Sequence, residues 1–265
     1  MSTTTVFRRL HGHGLFVMPN AWDIGSARLL EHLGFKAIAT TSSGLAASLG
    51  RLDQSVSRDE LLAHVESLTA AVSVPVSVDA EMCYPASPGG ITRTVDLIAG
   101  TGAAGLSIED YDPETGILPL DLAVERVREA VGAAVRHGLV VTARAENHLY
   151  GVNDLDDTTT RLQAYRDAGA DVVYAPALTE AADIEALVNG VGAPANVLAL
   201  PGVPPVPELE KLGVRRVSTG GALAWAAYGA LARAGREILR NGTTSYFDAA
   251  LPPADRDAFT PQRNH

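Results

Sequence analysis

Eight times along the chain a short apolar run is followed by an alanine-rich stretch with helical spacing, and few folds accommodate that repeat. The runs are 15–18, 37–39, 75–79, 105–108, 139–143, 171–175, 196–200 and 215–218. Their length and unbroken apolar character suit parallel strands buried on both faces. The stretches 24–33, 58–72, 91–100, 120–137, 156–168, 179–189, 207–212 and 222–239 read as helices. Asp23 stands where it can cap the first, and Ser57 with Glu60 forms a capping-box pattern before the second. The phrases EHLGF, AGTGA, DAGA and EKLGV recur at the joints, each with a glycine that ends a helix just before a strand. Eight such units in roughly 240 residues predict an α/β fold, a (β/α)₈ TIM barrel. A doubly wound open sheet has fewer strands and a glycine-rich first turn, and no G-x-G-x-x-G follows the first run. The expectation is one barrel domain over 1–265, with an extension from about 241 that packs on a neighbour or stays mobile.

Charge and residue usage narrow the function. The formal net charge of -10 argues against nucleic acid. An anionic substrate then needs local positive charge from a metal ion, an arginine or a helix N-terminus. Cys83 is the lone cysteine, which fits a reducing cytoplasm, and no apolar stretch is long enough to span a membrane. Lysine occurs only at Lys36 and Lys211, neither at the C-terminal end of a strand. A Schiff-base mechanism is therefore excluded.

Function in a barrel sits at the C-terminal ends of the strands. Asp79 and Glu81 close the third run and Glu109 the fourth. Three carboxylates on neighbouring strands suit a hard cation, Mg²⁺ or Mn²⁺, and a static network with nearby arginines is the alternative. Arg144 ends the fifth run, and its planar fork suits a substrate carboxylate or phosphonate, or else a bridge to Glu146 or Glu109. The hydroxyl-rich segment with Thr41, Ser42 and Ser43 can cradle a carboxylate on its backbone N–H groups, or be a plain turn. Trp22 can wall a small pocket or pack in the core. Residues 218–221 precede a helix and can bind an anion or allow close packing. Cys83 reads as an incidental buried thiol and His148 as a rim contact. His11, His13, His32, His64, His137 and His265 read as surface residues.

The segments PNAWDIGSARLLEHLGFKAIATTSSGLAASLGRLD, VPVSVDAEMCY, GAAGLSIEDY, VVTARAENHLYG and RLQAYRDAGADVVYAP together resemble the isocitrate lyase and phosphoenolpyruvate mutase superfamily over about 20–235. The resemblance implies a (β/α)₈ barrel whose last helix is often exchanged between subunits, in homodimers or homotetramers. It also implies Mg²⁺ and enolate chemistry on small 2-oxo or 2-hydroxy carboxylates. The superfamily's D-x-D metal motif falls on Asp79 and Glu81, with Glu in the second place. Its acid after the fourth strand falls on Glu109, its substrate arginine on Arg144, its carboxylate loop on Thr41, Ser42 and Ser43, and a rim aspartate on Asp53.

One segment departs from the pattern. Isocitrate and methylisocitrate lyases carry K-[KR]-C-G-H after the fourth strand, and the mutases a lysine and an asparagine; this chain has Tyr111, Asp112, Pro113, Glu114, Thr115 and Gly116. The AENHLYG and YAPAL stretches resemble a lyase/mutase-like branch. The expected function is a cytoplasmic, Mg²⁺-dependent carbon–carbon lyase or decarboxylase, with Glu109, Tyr111 and Glu114 as candidates for the general acid or base. Carbon–phosphorus chemistry, as in phosphonopyruvate hydrolysis or phosphoenolpyruvate mutation, and a non-catalytic 2-oxo-acid binding protein are the rivals.

Overall fold

Pro19 breaks the first strand in two, and the break closes the barrel. In the computed structural model, which describes residues 1–260, β1 (Phe16–Met18) pairs with the last strand and β2 (Asn20–Ala21) with the second. Proline has no N–H to give a ladder, but its carbonyl still accepts from Ala39 N at 2.9 Å. The other strands of the ring are β3 (Ile38–Thr40), β4 (Val76–Asp79), β5 (Gly105–Glu109), β8 (Val140–Arg144), β9 (Val172–Tyr174), β10 (Ala195–Leu198) and β11 (Arg216–Ser218). All pair in parallel, in the order β1-β11-β10-β9-β8-β5-β4-β3-β2. Between β5 and β8 a small antiparallel hairpin, β6 (Tyr111–Asp112) and β7 (Gly116–Ile117), stands on the rim. The expected (β/α)₈ barrel is thus observed.

The helices are α1 (Thr3–Leu10), α2 (Ile24–His32), α3 (Ser42–Ser48), α4 (Arg58–Ala71), α5 (Gly90–Gly100), α6 (Leu120–Val135), α7 (Leu155–Asp167), α8 (Ala181–Val191), α9 (Val206–Lys211) and α10 (Ala222–Asn241). Asp23 caps α2 and Ser57 with Glu60 caps α4, both as reciprocal capping boxes. Strand side chains alternate. Val78, Leu106, Ile108 and Val141 face outward into a core with Leu61, Val95, Ile98, Val127 and Leu162. The intervening positions, Ser77, Ser107, Thr142 and Arg216, are polar and point into the barrel.

Three features depart from the sequence expectations. Helix α1 plugs the amino-terminal end of the barrel through Phe7, which is fully buried against Phe16, Met18 and Val140. Burying one phenylalanine side chain is worth about 1.5–3 kcal/mol. His11 ends this helix and is buried, not a surface residue: its ring sits edge-on to Phe7 at 4.8 Å and to Phe16 at 5.0 Å. The tail returns to its own barrel: the 3₁₀ helix Pro253–Phe259 lies on α2, where Asp255 reaches His32 at 4.0 Å. His265 lies outside the described residues. Among those described, no helix is long and apolar enough to cross a membrane.

Candidate active site

A cavity of about 230 Å³ opens at the carboxyl end of the barrel. Thr41, Ser42, Ser43, Asp53, Asp79 and Arg144 all line it. The segment expected as a carboxylate-binding loop is the start of α3. Thr41 is its N-cap, accepting from Gly44 N at 3.3 Å, and Ser42 N donates to Asp79 Oδ2 at 3.0 Å. Close approach explains two glycines here. A Cβ on Gly44 would lie 2.9 Å from Trp22 Cβ, and one on Gly221 would collide with Ser43 Oγ. Asn20 holds the facing loop, its Oδ1 accepting from Thr219 N at 2.9 Å and Gly220 N at 2.8 Å.

Arg144 is the centre of the charge arrangement. Its Nη1 lies 3.0 Å from both Asp79 Oδ1 and Glu109 Oε1, and its Nε donates to Glu146 Oε1 at 2.6 Å. Its guanidinium stands 5.1 Å from the Tyr174 ring centroid, a cation–π contact. Strand register accounts for this: Glu109 pairs with Arg144 and Arg144 with Tyr174, so three polar side chains share one row of the barrel. Nη2 makes no hydrogen bond to the described residues and is free for a ligand. Asp110 supports Glu146 from behind. Its Oδ1 accepts from Glu146 N at 2.8 Å, while Oδ2 accepts from Tyr165 OH at 2.6 Å and Arg161 Nη1 at 3.2 Å.

Three of the other acids are buried, and a fourth is at the lip. Glu109 and Glu146 are buried, and burial holds both carboxyls above the usual range although Arg144 pulls them down. Glu81 is buried too and adopts a left-handed backbone, φ 49°. Burial first, then the charges of Asp79 and Asp53, push its carboxyl up to about 8. Its Oε1 has no hydrogen-bond partner. Asp53, at the exposed lip, is raised by partial burial and by Asp79, against a hydrogen bond from Ser42.

Trp22 is not on this cavity; it lies in an outer groove with Asp23, Leu45 and His64. Glu81 borders a separate groove with Tyr84, Glu114 and Arg126. Tyr111 stacks on Tyr150 at 3.6 Å between ring centroids, outside the cavity lining. Cys83 is fully buried, and burial raises its thiol far from reactivity. Among the described residues, no three acidic, histidine or cysteine side chains already converge as a complete metal site. Around Arg144 the structure holds the acids in an ion network. Arg216 also lines the cavity but is not apparent from the sequence, since it stands at the amino end of its strand. The signal was an arginine at a strand's inward position.

The phosphoenolpyruvate phosphomutase family matches residues 7–239. The chain belongs to that family. An uncharacterized protein of Mycobacterium tuberculosis is 35% identical over 237 residues, covering 88% of each chain. The 2-methylisocitrate lyase of Escherichia coli is 34% identical over 178 residues, 63% of this chain and 60% of that one. A crystal structure from Burkholderia cenocepacia, named only provisionally as a lyase/mutase, is 48% identical with a TM-score of 0.92, covering 96% of this chain and 94% of the other. A 2,3-dimethylmalate lyase of the same superfamily superposes with a TM-score of 0.84 at 26% identity, covering 97% and 95%. Membership in the phosphoenolpyruvate phosphomutase family makes this chain one of a lineage of lyases and mutases.

Proposed function

We propose that the chain is a divalent-metal-dependent carbon–carbon lyase or decarboxylase for a small 2-oxo or 2-hydroxy carboxylate, working through an enolate. One observation carries this reading. Asp79 and Arg144, whose Nη2 makes no hydrogen bond to the described residues, line the same small cavity as the hydroxyl-rich start of α3. A carboxylate held by Arg144 would lie beside Asp79, where its neighbouring 2-oxo or 2-hydroxy oxygen can be polarised.

The donor set fits a magnesium ion. Asp79 and Asp53 are hard oxygen donors that line the cavity, with Glu109 and Glu81 buried behind them and Glu81 Oε1 without a hydrogen-bond partner. Asp79 would be the direct ligand, with the others acting through water. When bound, the ion supplies Lewis-acid stabilisation of charge on the substrate oxygen. Arg144 orients the carboxylate, and Glu109 and Glu146 hold Arg144 in its rotamer. Ser42 and Ser43 close the opposite wall. Carbon–phosphorus chemistry is disfavoured because the segment 111–116 offers neither lysine nor asparagine. The lone, inert Cys83 accords with a reducing cytoplasm, and the exposed apolar face of α10 with a homo-oligomer.

Proton exchange tests the reading. In D₂O with Mg²⁺, the protein should exchange the methyl protons of pyruvate and bind oxalate, a planar mimic of its enolate. Oxalate binding without exchange would make the chain a non-catalytic binder, and the absence of both would remove the assignment.

A further inference from the structure

Arg216 opens β11 at the floor of the cavity, only 2% exposed, yet among the described residues it makes no ion pair. Nε donates to Asn196 Oδ1 at 2.8 Å and Nη2 to Thr142 Oγ1 at 3.0 Å, while Nη1 faces His11 Nε2 at 3.3 Å. His11 is a neutral acceptor: its Nδ1 lies 2.9 Å from the Phe7 carbonyl and must donate there, which leaves a lone pair on Nε2. A guanidinium has five N–H groups, so about two remain without an acceptor among the described residues. Two other arginines contrast with it. Arg161 reaches Asp110 and Asp157, and Arg144 reaches three carboxylates. Burial lowers the Arg216 pKa to about 9, which still leaves it charged at neutral pH.

A buried cation surrounded only by neutral dipoles is costly in a protein interior unless an anion visits it. The levels of a barrel core are ordinarily filled by branched apolar side chains. Here the floor carries Ser77, Ser107, Asn196 and Ser218 beside Arg216, and the cavity runs from Arg144 down to them.

We propose that Arg216 is a second anion anchor, holding the carboxylate at the end of the substrate remote from Arg144. The inference rests on the 2-oxo or 2-hydroxy acid reading and deepens it: the substrate is a dicarboxylate, lying along the barrel axis. It also decides between the two reactions. Loss of a carboxylate as CO₂ drains negative charge from the group that an arginine stabilises. The carboxylate on Arg216 is therefore retained, and the bond cleaved is C2–C3 of a 2-hydroxy diacid. The hydroxyl proton leaves, and C2 becomes the 2-oxo carbon beside Arg144. The C2–C3 electron pair moves onto C3 and into the carboxylate on Arg216, and C3 then takes up a proton.

Calorimetric titration with Mg²⁺ present, using oxalate and the non-enolisable four-carbon diacid 3,3-difluorooxaloacetate, tests this. Arg216→Gln should weaken the diacid at least about tenfold and leave oxalate, too short to reach the floor, within about twofold. Arg216→Lys should restore part of the loss. Asn196→Asp sets an internal carboxylate beside Nε. It should abolish the diacid's advantage while the melting temperature holds, which keeps the test valid if Arg216→Gln fails to fold. Equal losses for both ligands, no loss for either, or full diacid binding by Asn196→Asp overturns the proposal. If wild type binds the diacid but not oxalate, the enolate reading fails, and the Arg216 variants still decide the anchor.

Discussion

Asp79 Oδ1 and Arg144 Nη1 meet at 3.0 Å although β5 runs between their strands. The arginine therefore spans a strand and draws Glu109 from that strand into the same contact. Two consequences follow for the chemistry. The guanidinium is held on its Nε and Nη1 side, and its Nη2 edge makes no hydrogen bond to the described residues. Asp79 in turn is divided between Arg144, the Ser42 amide and the cavity, so a cation arriving there competes with a protein partner.

That edge is what Arg144→Lys removes. An ammonium can replace one contact to Asp79 or Glu109 but cannot also bond Glu146 and a ligand in the same plane. Losing one charge-assisted hydrogen bond costs about 1.5–3 kcal/mol. The expected result is a fall in kcat/KM of about tenfold or more in a protein that still folds. Turnover like wild type would make Arg144 a structural partner of its carboxylates only.

Exhaustive chelation should abolish activity, and Mg²⁺ or Mn²⁺ should restore it. The motive is the pair of acids Asp79 and Asp53 on the cavity, with Glu81 Oε1 behind them left without a partner. Asp79→Asn should raise the metal concentration needed for half-maximal activity by at least about tenfold, given one lost ionic ligand. Full activity in protein shown to be metal-free by elemental analysis would refute the metal requirement.

The barrel was legible because its strands are apolar runs, several of them preceded by a glycine that ends a helix, and because outward side chains such as Leu106 and Val141 need no partner but the helix layer. The acids at the carboxyl ends were legible because Asp79 and Glu109 directly close two of those apolar runs. What escaped detection depends on contacts between distant residues. Arg216 stands at the wrong end of its strand for a rim search, and only the fold brings Thr142, 74 residues away, within 3.0 Å of it. Helix α1 has a single buried residue, Phe7, too weak a pattern to announce a plug. Trp22 follows a strand end but turns outward, because Gly44 and the start of α3 occupy the space beside it.

The helix α10 should be covered by a second copy of the chain. Of its 20 residues only Ala224 is buried, and Trp225, Leu231, Ile238 and Leu239 are exposed along it. Sedimentation at micromolar concentration should give a dimer or larger assembly, and Leu231→Glu should shift it toward the monomer. A wild-type monomer under those conditions would leave the apolar face without an occupant.

His11 should make the fold acid-sensitive. Burial first, and then the charge of Arg216, hold its imidazole down to about 3, against the Phe7 hydrogen bond and with Arg8 adding a little. In the unfolded chain the same group titrates near 6.5. Between those values the unfolded chain binds a proton that the folded one refuses, so stability present above about pH 6.5 is lost as pH falls. His64, lowered by burial to about 4, acts in the same direction. The buried acids Glu81 and Glu146, held above their usual range, act in the opposite one. Total stability therefore mixes several groups, and the comparison that isolates His11 is with His11→Gln. At about 1.4 kcal/mol per pH unit, wild type should lose about 2 kcal/mol more than the variant between pH 7 and pH 5. Urea unfolding of both proteins at the two pH values measures the difference. Equal pH dependence would mean that His11 accepts a proton in the folded protein, and that Arg216 has a different neighbour from the one its geometry gives it.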